Sequence, residues 1–290
     1  MKTHSEYKIF DAHCDTMTRL MENGGRLAEN RYNLDTKRME LYREYTQIFA
    51  CCTEPKHSAV SMERFKRMTE FMRKQYFGSI TPIISIEGAD MIKSVDDVDY
   101  LYSCGVRCIA LTWNHSNQLA GGADSPDHGL TELGKRVIRR MNELGIILDV
   151  SHLNDRSFYD ASSVNTGKLI ATHSNSRYVC SHRRNLTDDM FRLIRDSGGC
   201  AGLNLYPPFL TDKPRCTSSD VISHVSHWLE LGGENSIGLG TDLDGTDDIL
   251  PEDIHGAEDI YILLDKLNAE FGREITEKIS YKNMRSVFGE

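Results

Sequence analysis

Short β-branched runs alternate with longer amphipathic stretches along the whole 290-residue chain, and this alternation constrains the fold more than any single motif. Strands are expected at 7–12, 46–51, 80–86, 105–111, 145–150, 168–172, 199–205 and 236–241. Helical periodicity, with apolar residues at three- and four-residue spacing, covers 61–77, 95–104, 130–144, 154–164, 187–197, 218–231, 256–270 and 274–284. Thr131 stands where an N-cap is needed for the third of these. Strands alternating with helices of this length imply βαβ units and a parallel sheet. Eight such units fit a single closed (β/α)8 TIM-type barrel; a doubly wound open sheet is the alternative built from the same units. No linker, repeat or charge block divides the chain, so residues 1–290 are expected to form one α/β domain.

Composition removes whole classes of function. With 34 Lys+Arg against 43 Asp+Glu the formal net charge is −9, the wrong sign for a nucleic-acid binder, which must neutralise phosphates. No apolar run approaches the roughly 20 residues that span a bilayer, so no membrane partner is expected. The segment Met1 to Lys8 has no apolar core, which predicts no secretory leader and a cytoplasmic location. The eight cysteines contain no CxxC pair and lie beside apolar segments, as reduced thiols packed like small hydrophobes would. Cys104 and Cys108 have the spacing of half a zinc site, but no second pair follows. Two glycosylation-type triplets, at Asn114 and Asn185, carry no weight in a chain expected to stay inside the cell.

In a barrel of this kind the active site is built at the C-terminal ends of the strands. The first expected strand leads into His13-Cys14-Asp15, where His13 and Asp15 share a face in extended chain and Cys14 turns away. The third ends in Glu87-Gly88, and Gly88 permits a tight exit. The fifth and sixth lead into His152 and His173, 21 residues apart and therefore at corresponding places on neighbouring strands. The eighth runs into Asp242. Each residue alone has an ordinary reading as a cap or a surface group. Together they bring ionisable groups to one rim, which would be costly without cations to neutralise them. Two divalent ions about 3.5–4 Å apart suit this number of ligands and a carboxylate able to bridge. Zinc fits a mixture of imidazole and carboxylate, and manganese or iron meets the same donor types. Gly238-Leu239-Gly240 lacks the rest of a dinucleotide fingerprint, and Asp242-Leu243-Asp244-Gly245 has its glycine too early for a calcium loop.

These motifs, with Asp149-Val150-Ser151-His152, Thr172-His173-Ser174, Arg183-Arg184-Asn185-Leu186-Thr187-Asp188-Asp189, Gly240-Thr241-Asp242-Leu243-Asp244-Gly245 and the tail Asn283 to Phe288, resemble the membrane (renal) dipeptidase family along nearly the whole chain. The resemblance implies a (β/α)8 barrel holding two Zn2+ ions, with His13 and Asp15 on one, His152 and His173 on the other, and Glu87 between them. It implies hydrolysis of small dipeptide substrates, often with a D-residue at the C-terminal position. It maps the substrate-carboxylate arginine onto Arg184, and the acidic group after the eighth strand onto Asp242, which would move the proton and contact the substrate amine. The family commonly reads Leu-Thr-His after its fourth strand, with that His on the substrate; here the chain reads Leu111-Thr112-Trp113-Asn114-His115. His115, two residues on, is expected to supply the catalytic and substrate-contacting imidazole. Assembly as a homodimer is compatible with this reading. The alternatives are a metal-dependent amidase, lactamase or phosphoesterase on the same barrel, which the Trp113 departure keeps open, and a non-catalytic metal-binding barrel.

Overall fold

Eight parallel strands close on themselves in chain order: β1 His4–Cys14, β2 Tyr42–Cys52, β3 Thr81–Glu87, β4 Val106–Ala110, β5 Ile147–Asp149, β6 Leu169–Ala171, β7 Cys200–Leu203 and β8 Ile237–Leu239. In the computed structural model, which describes residues 4–125 and 127–289, β8 returns to β1 through the pairing of Leu239 with Asp11. The expected strands are all present, and the sheet is a barrel, not an open doubly wound sheet. β5, β6 and β8 are shorter than expected, at three residues each, because their ends leave the ladder for loops rich in polar groups. β1 and β2 are longer, at 11 residues each, because they pair from His4 and Tyr42 onward.

The helices Ser61–Arg73, Asp96–Ser103, Glu132–Leu144, Asp155–Val164, Asp188–Asp196 and Ser219–Glu230 lie inside the expected spans. Thr131 caps its helix as expected, its side chain accepting from the Gly134 N–H; Asn154 and Thr187 cap theirs in the same way. Each cap is worth about 1 kcal/mol. The last two expected helices meet near Gly272, where left-handed backbone (φ 80°) breaks the helical span Ile260–Glu277. A π-helical segment, Lys278–Lys282, and the helix Asn283–Val287 follow. The helix Thr16–Asn23 was not expected from the sequence: over two turns its buried Thr16, Met17 and Leu20 are too few to establish a period. The short Thr36–Met39, Pro55–Val60 and Pro207–Leu210 were not expected either.

Two apolar layers result. Inside the barrel, Phe10, Ala12, Ile48, Ile83, Cys108, Ile170 and Cys200 pack with Tyr281, Met284 and Val287 of the C-terminal segment. That segment seals the end where the strands begin: Asn283 Nδ2 donates to the carbonyls of Glu234 and Ile237, and Lys168 Nζ to that of Ser286. The opposite rim is thus left for a site. The outer layer joins the strands to the surrounding helices. All eight cysteines are free and seven are buried, and among the described residues Cys104 and Cys108 gather no metal-ligating partners. No helix is long and apolar enough to cross a membrane among the described residues.

Candidate active site

β1 is irregular near its end. Asp11 pairs with Gln47 but Cys14 with Phe49, so the register slips by one residue between them. A bulge of this kind re-aims side chains. Phe10 and Ala12 belong to the inner layer and Cys14 to the outer one, while His13 and Asp15 reach the rim. On β3 Ile83 points inward, and the two-residue alternation brings Glu87 to the same side. Gly88 adopts φ 80°, and a Cβ there would stand 2.7 Å from the Thr53 carbonyl oxygen, so the tight exit requires glycine. His152 and Asp242 also adopt left-handed backbone (φ 69° and 61°), uncommon for residues bearing a Cβ and a form of strain that clusters at functional sites. It is held by hydrogen bonds from Ala123 N to His152 O and from Asp242 N to His13 O. At Gly240 an added Cβ would lie 1.7 Å from the Thr172 carbonyl oxygen, so β8 closes tightly on the turn that presents His173.

The structure brings six of the eight expected residues into one buried cluster. His13 Nε2 lies 3.7 Å from Asp15 Oδ2, 3.6 Å from Glu87 Oε2 and 3.8 Å from Asp242 Oδ1. On the other side of Glu87, its Oε1 is 2.6 Å from His152 Nε2 and 3.6 Å from His173 Nε2. The two histidine Nε2 atoms are 2.8 Å apart. Arg184, the seventh, joins the edge of the cluster, its guanidinium 2.9 Å from His173 Nε2.

The hydrogen bonds behind the two imidazoles His152 and His173 fix their tautomers. Thr172 Oγ1 donates to Asp149 Oδ2 (2.5 Å) and therefore accepts from His173 Nδ1–H (2.8 Å). His152 Nδ1–H donates to Asn114 Oδ1 (2.7 Å). Both Nε2 atoms are then unprotonated acceptors, which cannot bond to each other or to a carboxylate; Arg184 donates to the one on His173. His13 Nε2, Asp15 Oδ1 and Glu87 Oε2 are buried without hydrogen-bond partners. Lone pairs and carboxylates aimed at common points fit divalent cations. Sequence reasoning missed this second layer. Asp149 accepts from the N–H groups of Ser151 and Thr172, and on the opposite side Asp11 accepts from those of His13 and Thr241 and from Thr241 Oγ1. The two clamps are alike: an aspartate on the strand before the rim histidine, braced by a threonine at the end of the neighbouring strand.

The electrostatics carry the same message. Burial opposes the charge on His13, but Glu87, Asp15 and Asp242 outweigh it and hold the imidazole up at about 10. Burial, with Asp15 and Glu87 adding like charge, pushes the Asp242 carboxyl up to about 7 against the pull of His13 and Asn204. His152 and His173 are driven well down by burial, with Arg184 and His13 contributing. Burial also lowers Arg184, while Glu87 and Asp242 support its charge.

A cavity of about 240 Å³ opens on the cluster, lined among others by Trp113, Asn114, Arg184, Tyr206, Phe209 and Asp242. It is smaller than the roughly 300–1,000 Å³ typical of sites for drug-sized ligands. Arg184 is 6% exposed and its guanidinium lies over the Phe209 ring at 5.6 Å. Asn204 Nδ2 donates to Asp242 Oδ2 (2.9 Å), leaving Oδ1 toward His13. The structure places His115, the eighth, apart from the cluster. It is exposed and does not line the cavity; its ring stacks on Trp113, with centroids 5.8 Å apart, and Trp113 and Asn114 take the inner positions. Asn114 bonded to His152 turns the next residue of the loop outward.

Comparison with known proteins agrees with this geometry. Residues 56–290 match the model of the membrane dipeptidase family, peptidase family M19. The chain is 34% identical over 203 residues to an uncharacterized protein in the pqqA 5′ region of Klebsiella pneumoniae, covering 66% of this chain and 74% of that one. It is 34% identical over 192 residues to the uncharacterized dipeptidase C965.12 of Schizosaccharomyces pombe, covering 63% of this chain but only 45% of that longer relative. The crystal structure of the dipeptidase AC, a metallopeptidase of family M19, superposes with a TM-score of 0.87 at 25% identity, with 97% of each chain covered. The chain belongs to the membrane dipeptidase family, peptidase family M19, and to its class of metal-dependent dipeptidases.

Proposed function

We propose that the protein hydrolyses the peptide bond of dipeptides, including those with a C-terminal D-residue, with two zinc ions in the rim cluster. His13 and Asp15 would hold one ion, His152 and His173 the other, with Glu87 between them. The observation that carries this reading is the pair of unprotonated imidazole nitrogens 2.8 Å apart, neither able to donate to the other, beside a carboxylate whose other oxygen is buried and unpaired. Bound divalent ions supply Lewis-acid polarisation of a carbonyl and an acidified water.

The chain's own groups supply the rest. Asp242 Oδ1 faces the cluster while Asn204 holds Oδ2, so one oxygen is free to take a proton and pass it to the departing amine. Its buried carboxyl near neutrality suits transfer in both directions. Arg184 lies at the edge of the cluster with Phe209 against its guanidinium, and its fork matches a terminal carboxylate. The small cavity favours substrates of two residues. His115 has no part in this scheme.

The test is a panel of L-L and L-D dipeptides, with N-acetylated and amidated forms, given to protein stripped of metal and reloaded with zinc. Free dipeptides should be cleaved and blocked ones resisted. Metal-loaded protein that leaves every dipeptide intact would defeat the reading.

A further inference from the structure

Cys52 is the last residue of β2 and pairs across the ladder with Glu87, the last residue of β3. Along β2, Ile48 points into the barrel while Phe49 and Cys51 belong to the outer layer. The two-residue alternation therefore turns Cys52 inward, beside Glu87. Its Sγ and the carboxylate oxygens of Asp15 and Glu87 all lie within 4.8 Å of one another. Two further observations mark the adjoining point, between Glu87 and His13, as a place for a ligand. Glu87 is 3% exposed with Oε2 unpaired, and His13 Nε2, also unpaired, is 3.6 Å from that oxygen. Donors on a tetrahedral zinc ion, with Zn–O of about 2.1 Å and Zn–S of about 2.3 Å, stand about 3.6 Å apart. The spacing of His13 to Asp15 and to Glu87 meets that value.

We infer that Cys52 is a thiolate donor to the ion held by His13, Asp15 and Glu87, completing a sphere of one nitrogen, two oxygens and one sulfur. The inference rests on the metal-dependent reading above and extends it to a residue outside the ligand set that the family resemblance implies. As the sulfur–metal bond forms, the thiol proton leaves to solvent. The chemical consequence is selectivity. A soft sulfur favours zinc, cobalt and cadmium over manganese and magnesium, which a site of imidazole and carboxylate alone separates poorly. Cys51 and Cys14, turned to the outer layer, serve as internal controls.

The experiment loads the metal-stripped full chain with Co2+ and records its near-ultraviolet spectrum. A sulfur-to-cobalt charge-transfer band is expected in the wild type and in Cys51→Ser, and its loss in Cys52→Ser and Cys52→Ala. Zinc affinity should fall at least about tenfold in both Cys52 variants, with a smaller change for manganese. In wild-type protein, iodoacetamide labelling read by peptide mapping should show Cys52 protected by zinc, a result that needs no variant to fold. Cobalt bound without the band, or labelling of Cys52 unchanged by zinc, overturns the inference and leaves the dipeptidase reading standing. Failure to bind cobalt or zinc at all overturns both.

Discussion

His224 lies fully buried on the helix Ser219–Glu230, beneath the loop that carries Arg184. Its Nδ1 accepts from the Ser176 N–H (3.1 Å) and its Nε2–H donates to the Leu210 carbonyl (2.9 Å), so the neutral ring ties the loop after β6 to the loop after β7. Protonation would set N–H against N–H at Ser176. Burial drives this imidazole from 6.5 down to about 4; the Leu210 carbonyl and Asp220 oppose the shift and His227 adds to it. The sign follows from proton counting. Below the unfolded value the unfolded chain binds a proton that the folded chain refuses, so stability falls as pH drops from about 6.5 toward about 4 and is unaffected by this group above that window. At about 1.4 kcal/mol per pH interval, the loss from pH 7 to pH 5 is about 2 kcal/mol, and about 3 kcal/mol by pH 4. Urea unfolding of wild type and His224→Gln at pH 7, 6 and 5 isolates the effect. The variant should be weaker at pH 7 by about 1–3 kcal/mol, for the disturbed Ser176 and Leu210 bonds. Its decline toward pH 5 should be shallower by about 2 kcal/mol. Parallel declines in the two proteins would refute the argument.

Asp242→Asn should retain the metal content of the wild type by elemental analysis while kcat falls about 10²–10⁴-fold, the usual scale of a lost acid/base group. Arg184→Ala should raise KM for dipeptides about 10–100-fold, as expected for a lost charged hydrogen bond, with little effect on dipeptide amides; equal effects on both would remove the carboxylate contact. Asn114→Ala frees His152 Nδ1 and should lower metal affinity about 10–100-fold with the fold intact by circular dichroism.

The barrel was legible because its strands are short β-branched runs at regular intervals, and burial on both faces forces that composition whatever the loops do. The rim cluster was legible because charged residues directly after apolar runs have few places to go except the rim. The β1 bulge left no sign in the residues: His13 and Asp15 share a face in regular strand as well, and only the register against β2 reveals the extra residue. The Asp11–Thr241 and Asp149–Thr172 clamps join groups 230 and 23 positions apart and carry no local pattern. The arrangement of the loop after β4 was illegible for a related reason. Family resemblance places an imidazole there, but which of Trp113, Asn114 and His115 faces inward depends on the bond between Asn114 and His152 across the rim. In each case the missing information is tertiary.

In the proposed function this rim holds two divalent ions, both required for cleavage of a dipeptide. The most direct measurement titrates Zn2+ into metal-stripped protein while following bound metal and turnover of one cleaved dipeptide in the same samples. Turnover should rise with occupancy and level off at about two ions per chain, and His152→Ala should lose one of the two ions together with activity. Full turnover in the stripped protein, or saturation with zinc and no dipeptide cleavage, would refute the proposed metal-dependent function.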